Sequence, residues 1–260
     1  MVSQPKISII TVCYNSQQTI LDTIRSVQSQ DYLNREHIII DGESKDGTLM
    51  LLEQHRSEFD VLVSERDRGI YDAMNKGIRI ASGDIIGFLN SDDIYYDKTS
   101  LSTIAGGFSE ATTDAVFGNL IYVSKENLEK IVRFWRASSF QTGLFSKGWC
   151  PPHPTFYVKK AIYDRLGGFD ISLPIANDVE LMMRFLEVGK INTRHIDEVL
   201  VRMRMGGVSN NSLKNIVYQN YVILKSLQKH QLPSAWLPFI FAKLKSRTAQ
   251  YSSKSCQPTY

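Results

Sequence analysis

A chain of 260 residues with 43% hydrophobic content is long enough to bury a full core, as one large domain or as one domain with an appendage. No apolar run approaches the roughly 18 to 20 residues needed to cross a bilayer, and residues 1–6 lack the basic region, apolar core and cleavage site of a signal peptide, so the expected location is the cytoplasm. Three widely spaced cysteines, Cys13, Cys150 and Cys256, argue against a disulfide framework or a zinc site, and the net charge of +3 is uneven, because nine Lys and Arg but no Asp or Glu follow Glu198.

The first strand is expected at Lys6 to Cys13, closed by the turn residues Tyr14, Asn15 and Ser16. Ile20, Ile24 and Val27 then recur at helical spacing within Thr19 to Gln30. A second strand, His37 to Ile40, ends at Asp41-Gly42-Glu43-Ser44-Lys45-Asp46-Gly47-Thr48, and Leu49 to Phe59 reads as helix. A short strand at Val61 to Val63, a polar loop at Glu65 to Gly69 and a helix from Ile70 to Ala81 follow. Ile85 to Leu89 is a further buried-type strand, and it runs into Asn90-Ser91-Asp92-Asp93. Strand and helix alternate four times, which predicts an α/β fold with a doubly wound parallel sheet and ligands at the carboxyl ends of its strands.

That rule places Thr11, Tyr14, Asn15, Asp41, Asp67, Asp92 and Asp93 on one edge of the sheet. Two adjacent carboxylates repel, so they are solvated and hydrogen-bonded in a turn, or they hold a cation that takes oxygen ligands. Asp41 can accept from the N–H edge of a base or serve as a turn residue, while Asp46 and Thr48 suit the cap of the next helix. Lys76 and Arg68 are either solvated charges or cations beside a phosphate.

In the second half, Ala115 to Tyr122 reads as a strand, Arg133 to Lys147 as irregular, and Phe156 to Val158 as another strand. His153 stands between prolines, as a hydrogen-bonding group for a substrate or as a structural residue. Asn177 to Glu180 opens a helix whose Leu181, Met182, Phe185 and Leu186 turn inward, which places Asp178 in its first turn. A last strand is expected at Val199 to Met205, then a helix from Leu213 to Lys229. The aromatics of residues 232–241 precede Lys243, Lys245 and Arg247, a pattern that suits either an anionic membrane surface or packing on the protein's own core. No nucleic-acid recognition motif accompanies the charge, and residues 250–260 read as a disordered tail.

Four segments together, Ile7 to Asn15, Ile40 to Thr48, Asp67 to Gly77 and Leu89 to Asp93, resemble the family 2 glycosyltransferases of the GT-A fold. The resemblance implies a mixed, mostly parallel sheet flanked by helices, a nucleotide-sugar donor, a divalent cation (Mg2+ or Mn2+) and inverting transfer to an acceptor hydroxyl. Residue by residue, it implies Thr11, Tyr14 and Asn15 against the nucleotide, Asp41 on the base, typically uracil, and Asp67 and Lys76 beside the nucleotide and its phosphates. Asp92 and Asp93 match the family's Asp-x-Asp region, with Asn90 in place of its first Asp, so the ion is expected on Asp93 first and Asp92 second. Asn177-Asp178 resembles the family's Glu-Asp base motif. This makes Asp178 the expected general base, with Glu180 as its understudy and His153 and Glu180 as acceptor-side candidates.

The expected organisation is a catalytic domain over residues 1–210, with a donor half at 1–95 and an acceptor half at 96–210, followed by a basic amphipathic helical extension at 211–260. The loop at Gly206 to Ser209 is expected near the donor phosphates. The implied activity is metal-dependent inverting hexosyl transfer from a UDP-sugar to a saccharide or lipid-linked saccharide in surface polysaccharide synthesis, at the inner face of the plasma membrane. Two alternatives stand beside it. A sugar nucleotidyltransferase should carry a Gly-rich, basic loop after the first strand, which residues 13–17 lack. A non-catalytic binding protein would show Asn90 and Asn177 as marks of lost chemistry.

Overall fold

Apolar β-branched runs without a polar face are satisfied only in a sheet covered on both sides, and Ile7–Cys13 (β1) is buried at every position. The structure is a computed structural model that describes residues 4–206, 213–234, 236, 239–241 and 243. After β1 come Ile20–Gln28 (α1), Arg35–Asp41 (β2), Thr48–Gln54 (α2), Val61–Ser64 (β3), Ile70–Ile80 (α3) and Ile85–Phe88 (β4). The four strands pair in parallel in the order β3-β2-β1-β4. The chain therefore winds one way from β1 to β3 and then returns to β1's other side, which opens a crevice beyond the carboxyl ends of β1 and β4. The second helix is shorter than expected, since a 3-10 turn at Arg56–Glu58 takes over its last residues.

The second half is built around Ala115–Val123 (β6), again buried throughout. Before it lie Ile94–Tyr95 (β5) and Ser100–Gly107 (α4); after it come Ile131–Trp135 (β7), Tyr157–Lys159 (β8), Lys160–Leu166 (α5), Asn177–Met183 (α6), Thr193–Arg204 (β9) and Leu213–Lys229 (α7). Antiparallel β8 joins the halves by pairing with both β4 and β6, while β9 runs parallel to β6 and carries β5 on its far edge. β7 pairs with the distal part of β6. The irregular stretch expected from Arg133 therefore begins only after Trp135. Arg133 fits in a strand because its guanidinium lies over the Tyr122 ring, 4.5 Å from the centroid. β9 begins six residues earlier than expected, at Thr193, its start concealed by the polar run Thr193 to Glu198.

α7 has the bounds the sequence implies. One face buries Val222, Ile223, Leu224 and Leu227 in the main core, and Phe239 joins them. Val217, Tyr218, Tyr221, Trp236 and Phe241 stay exposed. Two cations counted with the basic tail lie in β9 and are already engaged: Arg202 binds Glu129, and Arg204 binds Asp22. Cys13 and Cys150 are free thiols. Among the described residues no helix is long and apolar enough to cross a membrane. The expectations for Gly207, Val208, Ser209, Lys245, Arg247, Lys254, Cys256 and the tail at 250–260 lie outside the described residues.

Candidate active site

The carboxyl ends of the four parallel strands meet at a cleft, and the loops there are bonded to one another. Ser16 after β1 and Ser91 after β4 share a hydrogen bond of 2.8 Å across the crevice. Asn15, with a left-handed φ of 52°, accepts the Lys45 N–H at 2.8 Å and donates its own N–H to Ser44 at 2.9 Å. Tyr14 is 61% exposed at the rim. Gly42 stands between Tyr14 and Asp67: a Cβ there would meet Asp67 Oδ2 at 2.5 Å and the Tyr14 ring at 3.4 Å. Tyr14, Asn15 and Asp67 are thus brought together, and Asp67 also accepts the Gly69 N–H at 2.8 Å.

Three residues expected on the nucleotide are otherwise engaged. Thr11 is fully buried, with its hydroxyl 2.9 Å from His37 Nε2, because the strand's alternation turns it into the sheet's interior. Asp41 is also sealed in, and its carboxylate receives the Ser44 N–H and hydroxyl, the Ser64 hydroxyl at 2.7 Å and the Cys13 thiol. It organises the floor of the cleft and presents no free edge. Lys76 bonds Glu65 Oε1 at 2.9 Å and the Arg66 carbonyl at 2.8 Å, so it braces the Asp67 loop. Arg68 pairs with Asp72.

Asp93, named first for the ion, has no accessible surface, and its Oδ2 accepts from the Asn90 amide at 3.2 Å. Burial pushes its carboxyl well above the usual range, and Asp92 adds to the effect. Asp92 is half-buried, also raised by burial, with Arg204 and His153 opposing that shift. Of the two carboxylates, Asp92 is therefore the more accessible. Among the described residues no cluster of three or more His, Cys, Asp or Glu could hold a metal alone. The fit is to a hard cation that takes one or two carboxylates and completes its shell with phosphate and water. Asp93 Oδ1 and Asn90 Oδ1, both buried without a partner, are spare oxygen acceptors at this position.

The second half of the chain reaches the same cleft because β8 is antiparallel to β4. Ile86 faces Val158, so the residues preceding β8 extend past the end of β4, and His153 Nε2 lies 3.4 Å from Asn90 Nδ2. Its other nitrogen, Nδ1, is 3.4 Å from Asp178 Oδ2, with both side chains about a quarter exposed. Glu180, expected as a second base or acceptor-side residue, is placed elsewhere. Two residues along a helix rotate a side chain by about 200°, and Glu180 is fully buried between Arg184 and His230, at 3.3 and 2.7 Å.

Asn177, which the sequence reading matched to the family's Glu, and Asn75 and Tyr71, which it passed over, hold the segment carrying Asp178 in place. Asn75 on α3 makes a reciprocal pair with the Phe169 backbone, at 2.9 and 2.8 Å. The Tyr71 hydroxyl accepts the Asn177 N–H at 3.3 Å, and its ring stacks on Phe169. The Asn177 side chain binds both the N–H and the carbonyl of Asp170, closing the loop into α6. Arg204, read only as tail charge, donates to the Asp92 carbonyl at 3.2 Å and to Asp22. Alternation in the last strand, which puts Arg202 and Arg204 on one face, was the one available signal.

Comparison with known proteins agrees with this architecture. The Glycosyl transferase family 2 model matches residues 8–165. An uncharacterized glycosyltransferase of Mycobacterium tuberculosis (strain ATCC 25618 / H37Rv) is 32% identical over 186 residues, covering 71% of this chain and 70% of that protein. The UDP-Glc:alpha-D-GlcNAc-diphosphoundecaprenol beta-1,3-glucosyltransferase WfaP of Escherichia coli is 31% identical over 236 residues, covering 85% and 86%. Among solved structures, S. aureus TarS 1-349 in complex with UDP superposes with a TM-score of 0.64 at 20% identity, over 96% of this chain and 75% of that one. The mannosyltransferase PcManGT from Pyrobaculum calidifontis, in complex with GDP-Man and Mn2+, gives 0.66 at 16% identity, over 99% and 77%. These likenesses identify the fold as GT-A.

Proposed function

This chain belongs to glycosyl transferase family 2, and we propose that it moves a sugar from a nucleoside-diphosphate donor, a UDP-sugar in the first instance, with inversion onto a hydroxyl of a saccharide. The observation that carries this reading is the meeting of His153 and Asp178 with Asn90, which sets a base candidate beside the loop of Asp92. The donor would lie across the carboxyl ends of β1 and β4, its base and ribose against Tyr14, Asn15 and Asp67. Asp92 would hold a divalent cation, Mg2+ or Mn2+, whose chemistry when bound is to neutralise the charge gathering on the departing diphosphate. Asp178 takes the acceptor hydroxyl's proton as that oxygen bonds to the anomeric carbon. The bond from that carbon to the diphosphate breaks on the opposite face, and its electron pair leaves with the diphosphate.

The acceptor proposed is lipid-linked, as the WfaP name states for that relative. In keeping with it, Lys214, Val217, Tyr218, Tyr221 and Lys225 lie exposed along one side of α7, at spacings of three and four. That stripe suits an anionic lipid surface, with the rings in the headgroup layer. The catalytic unit proposed is residues 1–210, with the 211–260 extension as its membrane-facing part. Lys214→Gln with Lys225→Gln is expected to reduce binding to phosphatidylglycerol vesicles about 30-fold, at roughly 1 kcal/mol per lysine; unchanged sedimentation would remove the surface.

Calorimetric titration with UDP, GDP and dTDP, each with Mn2+ and with EDTA, tests the donor and the ion together. The expected result is binding of UDP that is lost with EDTA. No binding of any nucleotide would overturn the proposal.

A further inference from the structure

We propose that Asn90 and His153 are positioning residues that fix the imidazole proton on the nitrogen facing Asp178, and thereby decide which carboxylate oxygen is free to receive the acceptor's proton. The inference rests on Asp178 being the base. The Asn90 amide nitrogen lies 3.2 Å from Asp93 Oδ2 and 3.4 Å from His153 Nε2. Asp93 Oδ2 has that amide nitrogen as its donor. That holds the amide nitrogen, rather than the amide oxygen, toward Asp93, and an amide nitrogen has a second hydrogen to give. The second hydrogen is directed at Nε2, which must then be the ring's bare nitrogen. The proton belongs on Nδ1, 3.4 Å from Asp178 Oδ2.

The ring has little freedom to escape this assignment. His153 opens the 3-10 turn His153–Thr155 between Pro152 and Pro154, and the Thr155 hydroxyl spans the Gly118 and Pro152 carbonyls at 3.0 and 2.8 Å. With the proton on Nδ1, the hydrogen faces the Oδ2 side of Asp178, 3.4 Å away, and Oδ1 remains for the acceptor hydroxyl. With the proton on Nε2, two lone pairs would face each other across 3.4 Å. The conflict would be relieved by swinging Asp178 aside or by protonating it, and a protonated carboxyl is no base. An acid at position 90 can only accept, so Asn90→Asp would draw the proton to Nε2. On this view the amide at position 90 is a working part of the site and not a sign of decay.

The decisive measurement is a long-range proton–nitrogen correlation spectrum of the full chain labelled with 15N-histidine, at neutral pH without added metal. A protonated Nδ1 and bare Nε2 for His153 are expected, with loss of that preference in Asn90→Leu. A protonated Nε2 in the unmodified protein would overturn the proposal, whatever the role of Asp178. Kinetics give a second reading. In His153→Asn the amide N–H replaces Nδ1–H and should rescue most of kcat. His153→Gln, whose amide reaches the Nε2 position, should lose about 10- to 100-fold with donor KM unchanged, the scale of a misplaced catalytic group. Equal rates for the Asn and Gln variants would overturn the inference, provided that nucleotide binding shows both to be folded. Transfer surviving in Asp178→Asn would instead remove the base assignment and leave the spectrum standing.

Discussion

Two of the chain's pairs of neighbouring acids stand at the site, Asp92 with Asp93 after β4 and Asp178 with Glu180 in α6, and in both the backbone gives the two members opposite surroundings. Asp92 and Asp178 reach the cleft, whereas Asp93 and Glu180 are sealed. Each sealed acid has donors of its own: Asn90 for Asp93, and Arg184 and His230 for Glu180, with Lys229 at 3.9 Å. Neighbours in sequence therefore sit in different surroundings. On the proposed reading the more accessible acid of each pair works first on a ligand, and the sealed one chiefly anchors the segment that carries it.

The comparison breaks most sharply at α6. Asp178→Asn is expected to lower transfer by about 10²- to 10⁴-fold, the range for a lost general base, while leaving nucleotide binding in place. Glu180→Ala should do the reverse. Removing a buried carboxylate from its cations costs about 3 to 5 kcal/mol, read as a fall in the thermal midpoint, with kcat of the folded protein changed only severalfold. If Glu180→Ala abolished transfer at full stability, the division of tasks would be wrong.

The β4 pair gives a smaller contrast. Asp92→Asn should weaken Mn2+-dependent UDP binding by about 10- to 100-fold, consistent with the loss of one charged oxygen ligand at a site completed by phosphate and water. Asp93→Asn should act first on stability, because its amide would face the Asn90 donor. Calorimetry on both variants decides the order, and an equal loss of binding would restore Asp93 as a ligand.

The first half of the chain was legible because its signals are local. Buried strands are continuous apolar runs, and the polar residues that end them must lie on one edge once the strands are parallel. Burial of individual side chains was not legible. Whether Thr11 or Asp41 faces the cleft or the interior depends on His37 and Ser64, residues of neighbouring strands that no motif ties to them, and on how Ser44 folds back on Asp41. In the second half the antiparallel course of β8 brings His153 to Asn90, 63 positions away, and the polar start of β9 gave no periodic signal. The same strand brings Arg204 to Asp22 across 182 positions.

Histidines repeat the contrast between sealed and cleft groups, and pH can test it. His37 is 2% exposed, with Nδ1 buried without a partner. Burial lowers its pKa from 6.5 to about 3, and Arg35 adds to the shift. The folded protein thus holds His37 neutral where the unfolded chain would protonate it, so this contribution to stability is fully present above pH 6.5 and is lost as pH falls from there toward 3. Between pH 7 and pH 5 the loss amounts to about 2 kcal/mol, at 1.36 kcal/mol per unit below the unfolded value. His37→Gln keeps a partner for the Thr11 hydroxyl and has no proton to gain. Its stability should therefore fall by about 2 kcal/mol less than that of the unmodified protein over the same interval, as measured by urea unfolding at both pH values. Parallel losses in the two proteins would mean that His37 is protonated while folded, and the sealed interior beneath Thr11 would then have to admit a charge.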